Sequence, residues 1–231
     1  PVWGVDAWSG PGLAAVRTSR SRTGTLLTPP SRRRPWELAS QVATVDRLSR
    51  GRVTLSIGLG AVDSGFEAFG EECDRRRRAE LLDECMDIVT GLWGGQPFAY
   101  RGQHYTVQPT TFPTIGTCVQ QLRPPVWCVG AIGSERSMAR ALRWDGLLPQ
   151  VVGTDGARAA TLDEVAAVRA RVGDRPYDIV VEATGATDVG DVHRRFGTQR
   201  SVGLWHAARH TRRHRRGGVA DVDLPTRDPE R

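Results

Sequence analysis

The stretch RTGTLLTPPSRRRPWELASQVATVDRLSRGRVTLSIGLG, residues 22–60, places two strand-like runs around a helix-like one. Residues 22–28 form a short apolar run that ends in the loop PPSRRRP, and Pro35 suits the first turn of a helix. Apolar residues then recur at helical spacing as far as Ser49. Residues 52–60 are nearly continuous in apolar residues, as a strand of a parallel sheet is. This succession predicts a parallel α/β fold.

A long amphipathic helix follows in CDRRRRAELLDECMDIVTGLWGG, residues 73–95. Asp74 suits the N-cap position, and the final glycine pair stops the helix. Its apolar residues share one stripe, which is expected to face the core: Leu82, Cys85, Met86, Val89, Leu92 and Trp93. The four consecutive arginines Arg75–Arg78 are predicted on a solvated helix face, where Arg76 and Glu80 can pair across one turn.

The remaining segments continue the alternation of strands and helices. PFAYRGQHYTV, residues 97–107, predicts a hairpin on which His104 is an ordinary surface residue. Further strands are predicted in PPVWCVG, WDGLLPQ and YDIVVEA, and helices after Ser134 and in TLDEVAAVRARVG. About five strands alternate with helices, which is typical of a parallel sheet.

Three loops follow predicted strands and are candidates for ligand binding, because parallel α/β folds bind ligands at the carboxyl ends of their strands. GLG at 58–60 lacks the third glycine of a dinucleotide fingerprint, since the required position is Asp63. GAIGSERS at 130–137 offers two glycines and a capping serine, which suits either a phosphate site or a plain capped turn. Thr25 and Thr28 end a strand without nearby charge and are predicted to line an uncharged ring-binding floor.

The basic charge of the chain is concentrated near its end. The net charge is +6, and all 32 basic residues are arginine. Eight arginines and no acidic residue lie between His193 and Gly218, and without them the chain would carry about −2. Specific nucleic-acid binding is therefore not predicted for the remainder of the chain.

The four cysteines predict buried, reduced thiols and no metal site. They form no CxxC pair and have no histidine at zinc-finger spacing. Cys85 falls on the apolar helix stripe and Cys128 inside an apolar strand. No apolar run reaches the length of a membrane span, and the first residues lack the features of a secretory signal. A cytoplasmic protein is expected.

In their order along the chain, these stretches resemble the luciferase-like monooxygenase family of flavin-dependent (β/α)8 barrels. RTGTLLT is similar to the family's third strand, and PWELASQVATVDRLSRGRVTLSIGLG resembles its next helix and fourth strand. GFEAFG, RRRRAELLDECMDIVTGLW, PFAYRGQHYTV, RPPVWCVG and RALRWDGLLP follow in the family's order. The resemblance covers roughly residues 17–150.

The resemblance implies a flavin-dependent oxidoreductase of the monooxygenase type. Its cofactor would be FMN or, alternatively, a deazaflavin coenzyme, and the reduced cofactor would react with oxygen or exchange hydride with a small organic substrate. The family's cofactor contacts carry over to a bulge at Thr25, Leu26 and Leu27, to the strand end at Gly58 and Gly60, and to a phosphate-binding turn at Gly130, Gly133 and Ser134. A flavin reductase as supplier of reduced cofactor and a homodimer are also implied.

The same resemblance implies an incomplete TIM-type barrel. Family members begin with two further strands and a histidine near the second, whereas this chain opens in a segment similar to the one after that histidine. No catalytic acid or base is therefore assigned. Residues 1–187 are expected to form a partial flavin-binding barrel, and residues 188–231 a disordered or frame-shifted arginine-rich tail.

Two other functions are compatible with the sequence. A non-enzymatic barrel remnant would bind no flavin, because an eight-stranded barrel cannot close with about five strands. Nucleic-acid binding through the basic tail would give an affinity that falls steeply with salt.

Overall fold

The computed structural model describes residues 6–112, 118–153 and 156–181. The predicted arginine-rich tail, residues 188–231, lies outside the described residues. Five α-helices are described: α1 (Ser9–Arg17), α2 (Pro35–Ser49), α3 (Arg75–Gly94), α4 (Glu135–Leu142) and α5 (Leu162–Val172). Three 3₁₀ turns span Pro30–Arg32, Val62–Ser64 and Glu67–Phe69.

Eight strands are described: β1 (Thr23–Gly24), β2 (Val53–Ile57), β3 (Phe98–Arg101), β4 (Thr106–Thr110), β5 (Val126–Ile132), β6 (Gly146–Gly153), β7 (Gly156–Ala159) and β8 (Asp178–Ile179). Strands β1, β2, β5, β6 and β8 are parallel, and each lies beside the next one in this series. This is the neighbour order of a (β/α)8 barrel. Strands β3 and β4 form a separate antiparallel hairpin. The five predicted parallel strands, helices α2 to α5 and the hairpin are confirmed.

Helix α1 and strand β7 were not predicted. Helix α1 contains Gly10, Pro11 and Gly12, residues that disfavour helices. Asp6 compensates at its start, because its carboxylate accepts hydrogen bonds from the backbone N–H groups of Trp8 and Ser9 at 3.0 and 2.9 Å. Strand β7 runs antiparallel to the distal half of β6 and carries no separate apolar run in the sequence.

The core lies between one face of the parallel sheet and helices α2, α3 and α4. In-register neighbours such as Ile57, Cys128 and Leu147 point into it and are fully buried. The predicted apolar stripe of α3 is buried along its whole length. Cys85 and Cys128 are buried free thiols as predicted, and burial raises the pKa of each to about 12. Cys73 and Cys118 are also free thiols but are only half-buried, so the prediction of burial is wrong for these two.

The turn between α2 and β2 fixes helix α1 to the sheet. Arg50 and Gly51 have φ angles of 55° and 81°, which reverse the chain after α2. Arg52 then directs its guanidinium to the carbonyl oxygens of Ala15 and Thr18, at 3.0 and 2.7 Å. A cation on the last carbonyls of a helix is favourable, because these groups have no intrahelical partners.

Hydrogen bonds attach the β3–β4 hairpin to helix α3. Glu84 accepts hydrogen bonds from the N–H groups of Gln103, His104 and Tyr105 at 2.7 to 3.1 Å. The His104 side chain is 19% exposed, and its Nε2 lies 3.1 Å from Glu80 Oε2. The expectation of an ordinary surface histidine is therefore wrong, since His104 joins the hairpin to α3.

The predicted Arg76–Glu80 pair is present, with 3.0 Å between Nε and Oε1. Its hydrogen bond, together with that from His104, lowers the pKa of Glu80. Within the described ranges, no helix has the length and apolar character that a membrane span requires.

Candidate functional site

The predicted ligand loops share one edge of the sheet. Strands β1, β2 and β5 are parallel neighbours, so their carboxyl ends lie side by side. The residues at 25–27 and 58–60 directly follow the ends of β1 and β2, and residues 130–134 include the end of β5 and the turn after it. This edge is where α/β barrels bind their ligands.

A bulge follows β1 at the place that the resemblance indicates. Gly24 pairs with Thr54 and Thr28 with Ile57, so the chain after β1 uses one residue more than β2 over the same length. The Leu26–Leu27 peptide bond within the bulge is cis. Cofactor contact by Thr25, Leu26 and Leu27 stays a prediction.

The two threonines of this segment do not form an open floor. Their hydroxyl oxygens lie 2.7 Å apart and share a hydrogen bond. Thr28 is fully buried and Thr25 is 8% exposed. The Thr28 side chain therefore stabilises the bulge, and the expectation that it lines a ring-binding surface is wrong.

An apolar floor is instead formed by Leu27, Gly58 and Val129. A Cβ atom at Gly58 would lie 2.9 Å from both Leu27 Cδ2 and Val129 Cγ2, which is too close. Glycine thus lets both of these half-buried side chains pack closely against the end of β2. Val129 was not predicted as a site residue. Its signal is the alternation in β5, where Val126 and Cys128 are buried and Trp127 and Val129 are half-buried.

The start of α4 provides polar groups, which are the Ser134 hydroxyl and the backbone N–H groups of the first turn. Ser134 is the N-cap, and its hydroxyl accepts a hydrogen bond from the Ser137 N–H at 3.4 Å. Gly133 has a φ of 92°, and nothing lies within 4 Å of where its Cβ would be. The N–H groups of Glu135 and Arg136 have no intrahelical partner, as at the start of any α-helix. The turn is capped as predicted, and its geometry also suits an anion.

Gly130 is explained by packing. A Cβ there would lie 2.4 Å from Leu147 Cδ1 and 3.1 Å from Ala141 Cβ on α4. The glycine therefore lets α4 approach the sheet closely, and a contact of Gly130 with a cofactor stays a prediction.

Arg78 reaches the end of β2 from the first turn of α3. Its side chain is buried, and Nη1 donates hydrogen bonds to the carbonyl oxygens of Leu59 and Gly60 at 2.9 and 3.1 Å. The prediction of four solvated arginines is therefore wrong at Arg78, although Arg75, Arg76 and Arg77 are exposed. The missed signal is spacing, since Arg78 precedes Leu82 by four residues on the apolar stripe.

Phe66 links the loops that follow β1 and β2. The ring is fully buried, and the guanidinium carbons of Arg32 and Arg78 lie 4.5 and 5.1 Å from its centre. Arg32 also forms an ion pair with Glu71. Cation–π contacts of this kind stabilise the loop conformation. Gly60, with a φ of 75°, has no room for a side chain beside Phe66.

Comparisons with known proteins agree with this architecture. The family model described as luciferase-like monooxygenase matches residues 2–216. An uncharacterised protein of Mycobacterium tuberculosis is 32% identical over 134 residues, which cover 58% of this chain and 45% of that protein. An F420-dependent glucose-6-phosphate dehydrogenase of Microbacterium testaceum is 33% identical over 101 residues, or 43% and 30% of the two chains.

A solved structure shows the likeness of fold. The coenzyme F420 dependent tetrahydromethanopterin reductase from Methanopyrus kandleri superposes with a TM-score of 0.59 at 20% identity, over 73% of this chain and 49% of that one. The chain spans less than half the length of the two curated relatives. On the family match and the strand order together, the chain belongs to the luciferase-like monooxygenase family.

Proposed function

We propose that this chain forms the cofactor-binding part of an oxidoreductase that uses a flavin or a deazaflavin. The observation that carries the proposal is the pairing of an apolar floor with a helix N-terminus on one sheet edge. Leu27, Gly58 and Val129 suit one face of a planar ring, and the start of α4 suits a phosphate. FMN and a deazaflavin coenzyme both combine these two chemical features.

The residues of this chain bind and orient the cofactor, which supplies the redox chemistry when it is bound. The floor excludes water from one face of the ring. Ser134 keeps the first turn of α4 in place, so that the N–H groups of Glu135 and Arg136 remain directed at an anion. The buried Thr25–Thr28 pair keeps the bulge that carries Leu27 in its conformation.

The relatives bear on the choice of cofactor. The Microbacterium testaceum relative is named for its dependence on F420, which supports the deazaflavin alternative beside FMN. A small organic substrate and a flavin reductase partner complete the proposed activity, and a cytoplasmic location is part of it.

We also infer a homodimer. Leu13 and Val16 of α1 and Leu48 of α2 are 64%, 57% and 48% exposed, an apolar surface that water does not favour. A groove of about 460 Å³ is lined by Leu48 together with Trp8 and Val45. Light scattering that finds only monomers up to high protein concentration would contradict this inference.

The proposed function is tested by titrating the whole chain with FMN and with F420 and following ligand fluorescence. Saturable binding of one of them is expected, and the tighter ligand identifies the cofactor. Val129→Asp places a charge on the floor and is expected to weaken binding at least tenfold. Val152→Asp is the control, because Val152 is 44% exposed on β6 outside the floor. Absence of binding to the wild-type chain, or equal binding by both variants, overturns the proposal.

A further inference from the structure

Arg78 is a buried cation without an anionic partner. It is 5% exposed, and its Nε atom is buried with no hydrogen-bond acceptor. None of the ion pairs in the described part of the chain includes it. Burying a charge without a carboxylate is costly, so stability alone is a poor reason for an arginine at this position.

The two contacts of Arg78 fix the direction of two peptide groups. Both Leu59 and Gly60 turn their carbonyl oxygens towards its guanidinium, at 2.9 and 3.1 Å. The peptide bonds after Leu59 and Gly60 are trans. In a trans peptide the N–H points opposite to the C=O, so the N–H groups of Gly60 and Ala61 both point away from Arg78 and α3.

These two N–H groups are available to a ligand. Neither forms a hydrogen bond within the described residues. Gly60 is half-buried and Ala61 exposed, so both remain accessible. They stand two and three residues after Gly58, which belongs to the apolar floor. Two unpaired N–H groups on adjacent residues at such a place can serve as a donor pair for an oxygen atom.

We propose that Arg78 is a positioning residue, which holds the N–H groups of Gly60 and Ala61 as a donor pair for an oxygen atom of the bound cofactor. The oxygen belongs either to a ring carbonyl or to the phosphate, and both have the same acceptor chemistry. Arg78 acts through the peptide groups and does not touch the cofactor. This inference rests on the proposed function.

The test compares Arg78→Met with Arg75→Met, which is a matched control. Arg75 lies one turn earlier on α3, is exposed, and makes no contact of the kind that Arg78 makes. Dissociation constants for FMN and for riboflavin, which has no phosphate, are measured by flavin fluorescence. Arg78→Met is expected to weaken FMN binding about tenfold, and Arg75→Met to leave it within a factor of two.

Riboflavin distinguishes the two sources of the oxygen. If Arg78→Met weakens both ligands equally, the donor pair binds a ring carbonyl. If it weakens only FMN, the pair binds the phosphate. Unchanged dissociation constants for both ligands overturn the inference. Arg78→Lys keeps the charge and can reach one carbonyl, so partial recovery of affinity is expected, and this variant replaces Arg78→Met if the latter does not fold.

Amide hydrogen exchange separates this inference from the proposed function. The Ser64 and Phe66 N–H groups form hydrogen bonds inside the loop, to Ala61 and Val62 at 3.0 and 3.2 Å. Arg78→Met is expected to accelerate their exchange at least tenfold relative to Arg75→Met, whether or not a flavin binds. If the wild-type chain binds neither FMN nor F420, the proposed function fails. Equal exchange rates in the two variants then overturn the positioning role as well.

Discussion

The helix-packed face of the sheet and its carboxyl edge are built on different principles. The packed face consists of apolar side chains that are completely buried, such as Leu55, Ile57 and Met86. At the carboxyl edge, individual groups have separate structural roles; examples are Gly58, the Thr25–Thr28 hydroxyl pair and the buried Arg78. Stability therefore resides mainly in the packed face, and the edge keeps unpaired backbone groups for binding.

The largest effect is expected in the packed face. Leu55→Ala removes a fully buried side chain from β2 and leaves a cavity, so the free energy of unfolding should fall by about 2–5 kcal/mol. Val152→Ala, at a residue 44% exposed and outside the proposed dimer surface, should change it by no more than about 0.5 kcal/mol. Urea denaturation of the two variants measures the difference. Similar losses in both would show that the packed face is not the main source of stability.

A smaller loss of stability with a larger loss of binding is expected at the edge. Gly58→Ala forces Leu27 and Val129 apart, which should lower the free energy of unfolding by about 1–3 kcal/mol. The distorted floor should also weaken flavin binding at least tenfold. Gly94→Ala, with open space around the new methyl group at the end of α3, is the control and should leave binding unchanged. If Gly58→Ala bound flavin as tightly as the wild-type chain, the apolar floor would not be part of the binding site.

This contrast explains how much of the molecule the sequence could predict. Helices α2 and α3 can be predicted from the spacing of their apolar residues alone, because many apolar side chains fall on the same helix face. Arg78 was predicted in solvent because it is the last of four consecutive arginines, a pattern typical of a solvated helix face. Its burial depends on carbonyl groups that a fold brings to it. Val129 was missed for a similar reason, since its position beside Gly58 depends on the register between β2 and β5.

The least predictable elements are those that depend on contacts outside their own segment. Helix α1 is built from helix-breaking residues and relies on Asp6 at its start and Arg52 at its end. The role of His104 requires α3 beside the hairpin. In both cases the local sequence is neutral or misleading, and a tertiary contact decides the structure.

The smallest predicted effect concerns the difference between the N-termini of α4 and α5. The first turn of α4 leaves the N–H groups of Glu135 and Arg136 without an intrahelical partner. In α5, by contrast, a capping box is present in which the Glu164 carboxylate accepts a hydrogen bond from the Thr161 N–H at 2.8 Å. Glu164 also pairs with Arg158 at 2.8 Å, and this hydrogen bond is the largest cause of the lowering of its pKa to about 2. In α5, a carboxylate of the chain itself therefore occupies the place that a ligand anion would take at α4.

The pH dependence of Glu164→Gln tests this difference. The folded-state pKa of Glu164 lies below its ordinary value of 4.5, so its contribution to stability is present above pH 4.5 and is lost as the pH falls towards 2. Solvent reaches both side chains, which are 54% exposed for Arg158 and 27% exposed for Glu164, so Glu164→Gln should lower the free energy of unfolding at pH 7 by no more than about 1 kcal/mol. The difference from wild type should shrink as the pH falls from 4.5 towards 2. Flavin affinity should not change, because the start of α5 is not part of the proposed site. A loss of affinity in Glu164→Gln would place the start of α5 in the binding site.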